Sequence, residues 1–162
     1  MNGTGISLLA TSVPQGGEVT PQRAPELHDQ DEETMITLLL VDDEPLVRQG
    51  LHTWLERVGD IRIIGEASNG TEAIALAQAL HPDVVLMDIS MPTRDGIAAT
   101  AALRASVPQC AVVLLSLYDD ATIRARAHAA GAVILVGKQE GVMVLLTAIR
   151  EAGGKGRVSA QE

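Results

Sequence analysis

The stretch ITLLLVDDEP, residues 36–45, runs from six strand-forming residues into two carboxylates, a glutamate and a proline. Three later segments repeat the layout: VVLM ends on Asp88, AVVLL on Ser116 and VILVG on Lys138. Short, nearly unbroken apolar runs are typical of strands buried on both faces, as in a parallel sheet. In an open parallel sheet the functional groups gather at the carboxyl ends of the strands. Asp42, Asp43, Asp88, Ser116 and Lys138 are therefore expected to share one patch.

Outward from that stretch, strand and helix alternate five times from Met35 onward. Residues 44–58 carry Pro45 in the first turn and place Val47, Leu51, Trp54, Leu55 and Val58 on one helical face before Gly59. Residues 61–65 read as the second strand, and SNGTEA leads into an Ala-rich helix that stops before His81-Pro82. Residues 84–87, 111–115 and 133–136 read as the remaining strands. Helices follow Asp95-Gly96 as far as Ser106 and cover residues 121–130, with Gly131 at the end. The last helix sets Val142, Leu145, Leu146 and Ile149 at i, i+3, i+4 and i+7. Strict alternation of this kind implies right-handed crossovers and helices on both sheet faces, an α/β domain over residues 35–152. Residues 1–34, rich in Gly, Pro, Ser, Thr and Gln and ending in HDQDEE, are expected to be a disordered acidic tail. The polar, Gly-rich residues 153–162 are expected to be a flexible tail or the stub of a linker.

Composition narrows the function classes. The 162 residues suffice for one domain with a full core. With one Trp, one Tyr and no Phe, that core must be built from Val, Ile, Leu and Ala. Of the net charge of −9, the first 34 residues carry −5, six acidic groups against Arg23, which leaves −4 for the rest. No cluster of Lys and Arg offers itself to phosphates, so direct nucleic-acid binding by this chain is not expected. Only two of the twelve basic residues are Lys, so the Lys that closes an apolar strand stands out. The single cysteine, Cys110, permits no internal disulfide and begins an apolar run, as a buried inert thiol would. No signal-peptide pattern opens the chain, and the longest uncharged stretch, residues 105–118, is interrupted by Pro108. A cytoplasmic protein without membrane contact is expected. His28, His52, His81 and His128 are scattered and read as surface residues, Trp54 as core, and Met87 and Met91 as packing.

Three crowded carboxylates have a definite chemistry. Two like charges about 4 Å apart repel by roughly 4 kcal/mol at an effective dielectric near 20. Either one carboxylate stays protonated or a cation sits among them. An all-oxygen donor set without His or Cys suits Mg²⁺ better than zinc. A carboxylate beside such a cation can act as a nucleophile on phosphorus. Lys138 and the Ser116 hydroxyl can then pair with phosphoryl oxygens. The bland alternative makes Asp42, Asp43 and Asp88 caps for the helices that follow them.

The stretches LLLVDDEPLVRQGL, PDVVLMDISMPTRDGI, VVLLSLYDD and AGAVILVGK, with their spacing, resemble the receiver domain of bacterial two-component response regulators. EPLVRQGL and GEASNGTEAI look most like the NarL/FixJ-type (LuxR-family) receivers. The resemblance implies a flavodoxin-like (βα)5 three-layer sandwich with sheet order 2-1-3-4-5. It implies Asp88 as phosphoacceptor and Asp42 and Asp43 as the acidic pair for Mg²⁺. Asp43, Asp88 and the Ser90 backbone carbonyl would be direct ligands. It further implies Ser116 as the switch hydroxyl, Lys138 as the phosphate-contacting lysine, and Ser90 and Tyr118 at positions that tune phosphoryl lifetime. Pro92 and Gly96 match the loop after the phosphoacceptor, where a turn requirement explains both. The implied partner is a sensor histidine kinase or a histidine phosphotransfer protein.

This chain departs from the family where Gly and an aromatic residue usually stand four and three residues before the lysine: it has Ile134 and Leu135. The aromatic ring normally turns inward as the hydroxyl residue moves. Leu135 offers no ring, and Gln139 after the lysine is a lesser deviation. Two rivals follow. A phosphorylation-independent interaction module is suggested by Leu135. A Mg²⁺-dependent phosphohydrolase would need a further acid/base Asp and a substrate cap, which Ile89 and Ser90 do not supply. NarL/FixJ-type chains usually continue into a helix-turn-helix domain, and AIREAGGKGRVS resembles the start of that linker. A single-domain regulator is the direct reading, with a receiver fragment of a DNA-binding transcriptional regulator as the alternative. Homodimerisation through the first and last helices stays open.

Overall fold

The computed structural model describes residues 35–161 except residue 119, with side chains as far as residue 154; the expected acidic tail lies outside the described residues. Five strands, β1 (Ile36–Val41), β2 (Ile61–Ala67), β3 (Val84–Asp88), β4 (Ala111–Ser116) and β5 (Ile134–Gly137), alternate with five helices. These are α1 (Pro45–Glu56), α2 (Gly70–Leu80), α3 (Gly96–Ser106), α4 (Ala121–Ala130) and α5 (Val142–Gln161). The strands form one parallel sheet of order β2-β1-β3-β4-β5, the flavodoxin-like arrangement expected.

Successive strand residues point to opposite faces, so the apolar runs feed two cores at once. Leu38, Leu40, Val84, Leu86, Val113 and Leu115 pack with Leu55 of α1 and Leu145, Leu146 and Ile149 of α5. Leu39, Val41, Val85, Met87, Val112 and Leu114 pack with Ala73 and Ala77 of α2, Ala99 and Leu103 of α3 and Ala127 of α4. Small residues on α2 to α4 let those helices lie close to the sheet. Trp54 is only half buried, at the margin of the first core. Cys110 is buried, and burial pushes its thiol up to about 12, so it remains an inert protonated thiol. No helix among the described residues is long and apolar enough to cross a membrane.

Two details fix strand positions. At the rim away from the strand carboxyl ends, the Thr37 backbone N–H donates to Asp83 Oδ2 and the Asp83 N–H donates to Thr37 Oγ1, both at 2.9 Å. This reciprocal clasp joins the starts of β1 and β3. Between Leu38 and Leu39 the β1–β2 register shifts by one residue, so Ile64 is left unpaired opposite that step.

The helix ends follow their local chemistry. Side chains of Asn69, Asp95 and Asp120 accept the N–H of Glu72, Ala98 and Ile123, capping α2, α3 and α4. Pro45 sits in the first turn of α1, as expected. Over the residues expected to form a flexible tail or linker stub, α5 runs on past Ala152 through Gly153 and Gly154 to Gln161. Gly153 is buried against Ile36, and a Cβ there would come within 2.9 Å of Ile36 Cδ1. The missing side chain lets the helix lie on β1, which offsets the helix penalty of glycine, about 1 kcal/mol.

Candidate functional site

The ends of β1, β3, β4 and β5 bring the acidic residues and the lysine together. Asp42, just past β1, is fully buried. Its backbone N–H continues the ladder to Ala67 O at 3.1 Å, and its Oδ1 accepts the Glu44 N–H at 2.9 Å. Its Oδ2 is buried without a hydrogen-bond partner, 3.9 Å from Lys138 Nζ. Asp43 follows, half buried. Asp88 closes β3 and is 3 % exposed; its Oδ1 accepts the Ser90 N–H at 3.3 Å and its Oδ2 lies 3.3 Å from Lys138 Nζ. One carboxylate oxygen from each of Asp42, Asp43 and Asp88 falls within 4.8 Å of the others. The capping alternative fails for all three: the N-cap position of α1 is Glu44, which makes no side-chain cap, and α3 is capped by Asp95.

An orphaned buried oxygen inside a triad of carboxylates is costly unless a cation completes it. The donor set is all oxygen and carries up to three negative charges, which fits Mg²⁺. Burial pushes the Asp88 carboxyl above its ordinary value; the Lys138 charge works against that and the Asp42 charge adds to it.

The loop after β3 is pinned tightly beneath Asp88. The Gly96 N–H donates to Ile89 O at 2.8 Å, and a Cβ on Gly96 would meet Asp88 O at 2.4 Å. Only glycine fits that approach, which gives this residue a packing role rather than a chemical one. Ser90 is exposed beside the site. Ser116, 4 % exposed, does not face Asp88 through any hydrogen bond: its hydroxyl donates to Tyr118 O at 2.6 Å and accepts the Tyr118 N–H at 3.1 Å. The Tyr118 side chain itself is exposed. Lys138 is tied to the end of β4 by its N–H on Ser116 O at 2.8 Å. Leu135 is buried in the core shared by α2, α3 and α4.

Three contacts at the site, two of them made by Arg48, were not foreseen from sequence. Arg48 Nη1 donates to the Asp42 carbonyl at 2.6 Å, and Arg48 Nε to Glu66 Oε1 at 3.0 Å. The Gly137 N–H donates to Glu140 Oε2 at 2.6 Å, closing the turn next to Lys138. A lone Arg one turn after an Asp pair, on the edge of an apolar face, was the available signal for the first. His52, expected at the surface, lies there with its side chain 31% exposed, Nδ1 on Glu66 Oε2 at 2.5 Å and Nε2 on Glu56 Oε2 at 3.2 Å. Glu66 and Glu56 thus hold it on both sides.

Residues 38–150 match the sequence model of the response regulator receiver domain. The chain belongs to the response regulator receiver family. Among curated relatives, this receiver is 36% identical over 128 residues to the response regulator GacA of Pseudomonas aeruginosa, covering 78% of this chain and 60% of that one. It is 44% identical over 86 residues to the transcriptional regulatory protein LiaR of Bacillus subtilis, covering 53% and 41%. The receiver thus spans only part of the length of these relatives. Among solved structures it resembles the signal receiver domain of the putative response regulator NarL from Mycobacterium tuberculosis. There the TM-score is 0.70 with 31% identity, over 74% of this chain and 97% of that one. The response regulator domain of Thermotoga maritima CheB gives a TM-score of 0.69 with 32% identity over the same shares.

Proposed function

We propose that Asp88 accepts a phosphoryl group from the phosphohistidine of a sensor histidine kinase or histidine phosphotransfer protein, and that the chain switches conformation in response. The observation that carries this reading is the buried Asp88 carboxylate, 3.3 Å from Lys138 Nζ and within a 4.8 Å cluster with Asp42 and Asp43. An Asp88 oxygen attacks phosphorus, the P–N bond to the donor imidazole breaks, and the ring leaves with the electron pair and takes up a proton. Water later attacks the same phosphorus, the P–O bond breaks, and the Asp88 carboxylate is restored. The residues that would hold Mg²⁺ are Asp42, Asp43, Asp88 and the Ser90 backbone carbonyl. When bound, the ion supplies positive charge opposite the carboxylates and the phosphoryl oxygens.

The chain's own groups do the rest. Lys138 pairs with Asp88 now and with a phosphoryl oxygen afterwards. Ser116 gives up its two bonds with the Tyr118 backbone to donate to the phosphoryl group, which draws in the loop between β4 and α4. Ser90 and Tyr118, two residues beyond Asp88 and Ser116, tune the lifetime of the modified state. In this reading the protein is a switch that assists its own modification rather than an enzyme with a separate substrate, and it works in the cytoplasm. Because the receiver spans only part of its regulator relatives, output by a DNA-binding domain is a proposal for a longer protein.

Incubation with Mg²⁺ and a small phosphodonor tests the assignment by intact mass: one phosphoryl group is gained, and Asp88→Asn abolishes the gain. An unmodified parent chain refutes it. A second reading, a phosphorylation-independent interaction module, draws on Leu135, a buried aliphatic residue at the position of the usual ring. Beryllofluoride separates the two. A change in spectrum or oligomeric state, homodimerisation included, supports the switch. Unchanged spectra with retained partner binding support the module.

A further inference from the structure

Asp42 is restrained at every polar atom but one. Its N–H is fixed to Ala67 O in β2, its Oδ1 to the Glu44 N–H, and its carbonyl oxygen to the Arg48 guanidinium at 2.6 Å. Only Oδ2 is left without a hydrogen bond, within the carboxylate cluster. The carbonyl held by Arg48 belongs to the peptide unit that leads into Asp43. Rotation of that unit would swing the Asp43 side chain and break up the triad. Mutual repulsion among three carboxylates favours such a rotation, so something must oppose it.

We infer that Arg48 is the positioning residue that opposes it, holding the Asp42–Asp43 turn in the geometry a divalent cation requires; this rests on the function proposed above. The guanidinium is a planar fork, and its two arms are used on two strands: Nη1 on the end of β1, Nε on Glu66 of β2. Glu66 sits beside Leu40 in the β1–β2 ladder, so the fork locks the two strand ends to each other. Glu66 is in turn held by His52 Nδ1 at 2.5 Å, and His52 Nε2 reaches Glu56 at 3.2 Å. A continuous chain of contacts therefore runs from the surface of α1 to the backbone of the acidic turn. As ion pairs at the protein surface, with Arg48 and Glu66 side chains 21% and 35% exposed, these contacts add little to folding. Their geometric effect on the turn is the better account of the arrangement.

Mg²⁺ titration by calorimetry, on the full chain and on Arg48→Met and Arg48→Lys, tests the inference. The Arg48→Met variant keeps the stem and loses the fork, and its Mg²⁺ Kd rises by about tenfold, the usual scale for losing a group that orients a ligand. The Mg²⁺ concentration for half-maximal modification by a small phosphodonor rises in step, and excess Mg²⁺ recovers the modification. Lysine, able to reach one partner but not both, gives a Kd between those of the parent and Arg48→Met. A lower Tm in EDTA with an unchanged Kd overturns the inference and leaves the phosphoacceptor assignment standing. A parent that neither binds Mg²⁺ nor takes a phosphoryl group overturns both. Should Arg48→Met fail to fold, Arg48→Lys is read alone: a raised Kd supports positioning and a parental Kd overturns it.

Discussion

Replacing Asp88 by asparagine should stabilise the domain in the absence of divalent cations. The side chain is 3 % exposed, and Asn keeps an oxygen for the Ser90 N–H. Ionised Asp88, with cluster oxygens within 4.8 Å, repels Asp42 by at least about 3.5 kcal/mol and attracts Lys138 by about 5 kcal/mol at 3.3 Å, both at an effective dielectric near 20. Repulsion from half-buried Asp43 brings the pair terms close to cancelling. The cost of burying the charge then decides the sign, in agreement with the raised Asp88 pKa. A group whose pKa is raised by folding lowers stability above its folded value, and that cost disappears as pH falls toward the ordinary value of 3.8. Asp88→Asn should therefore gain about 1–2 kcal/mol at pH 7 in EDTA, or roughly 4–8 °C in Tm. The gap should close in acid, and also with saturating Mg²⁺, which stabilises the parent by mass action. Thermal unfolding followed by circular dichroism at pH 7 and pH 4, with EDTA or Mg²⁺, reads all three conditions. An Asp88→Asn domain no more stable than the parent at pH 7 in EDTA would refute the reasoning, since Lys138 would then outweigh burial.

Two further outcomes can be measured on the same material. Gly96→Ala forces a Cβ to within 2.4 Å of Asp88 O and should lower stability by about 3 kcal/mol. Gly50→Ala, on exposed α1 with nothing within 4 Å, should raise it by about 1 kcal/mol; equal Tm values for the two variants would contradict this account. His52 should titrate above 6.5: burial lowers its pKa, but its hydrogen bonds to the Glu66 and Glu56 carboxylates and their charges raise it by more. Its stabilising contribution is then full below 6.5 and lost as pH rises through the folded value. An imidazole NMR titration at or below 6.5 would count against the Glu66–His52–Glu56 contacts.

Much of this was legible in the residues themselves. Four apolar runs located β1, β3, β4 and β5 because burial on both faces leaves little room for polar residues, and the polar residue ending each of those runs located the site; β2, at the sheet edge with Arg62 and Glu66 exposed, was legible from the alternation instead. Asp95-Gly96 and residues 121–130 marked helix limits correctly because capping is a local event. What escaped was tertiary. The packing of Gly153 in α5 on Ile36 joins residues from the two ends of the domain in sequence. Arg48 escaped because the Arg beside the Asp pair gave a signal but not its partners: one acceptor is a backbone carbonyl and the other, Glu66, comes from the neighbouring strand. The Ser116 hydroxyl, expected toward the acidic cluster, is turned to the Tyr118 backbone, a rotamer choice that spacing does not encode. Leu135 was visible as a departure, and it is buried in the core that includes Ala127 of α4.

The Thr37–Asp83 clasp has a consequence for how force spreads through the sheet. It staples β1 to β3 at the rim remote from Asp88, by two bonds that a one-residue slip would break together. Strand register is thereby insulated from events at the chemical rim. Any strain set up there must be relieved by the connecting loops, and the sheet serves as a fixed bed against which those loops move.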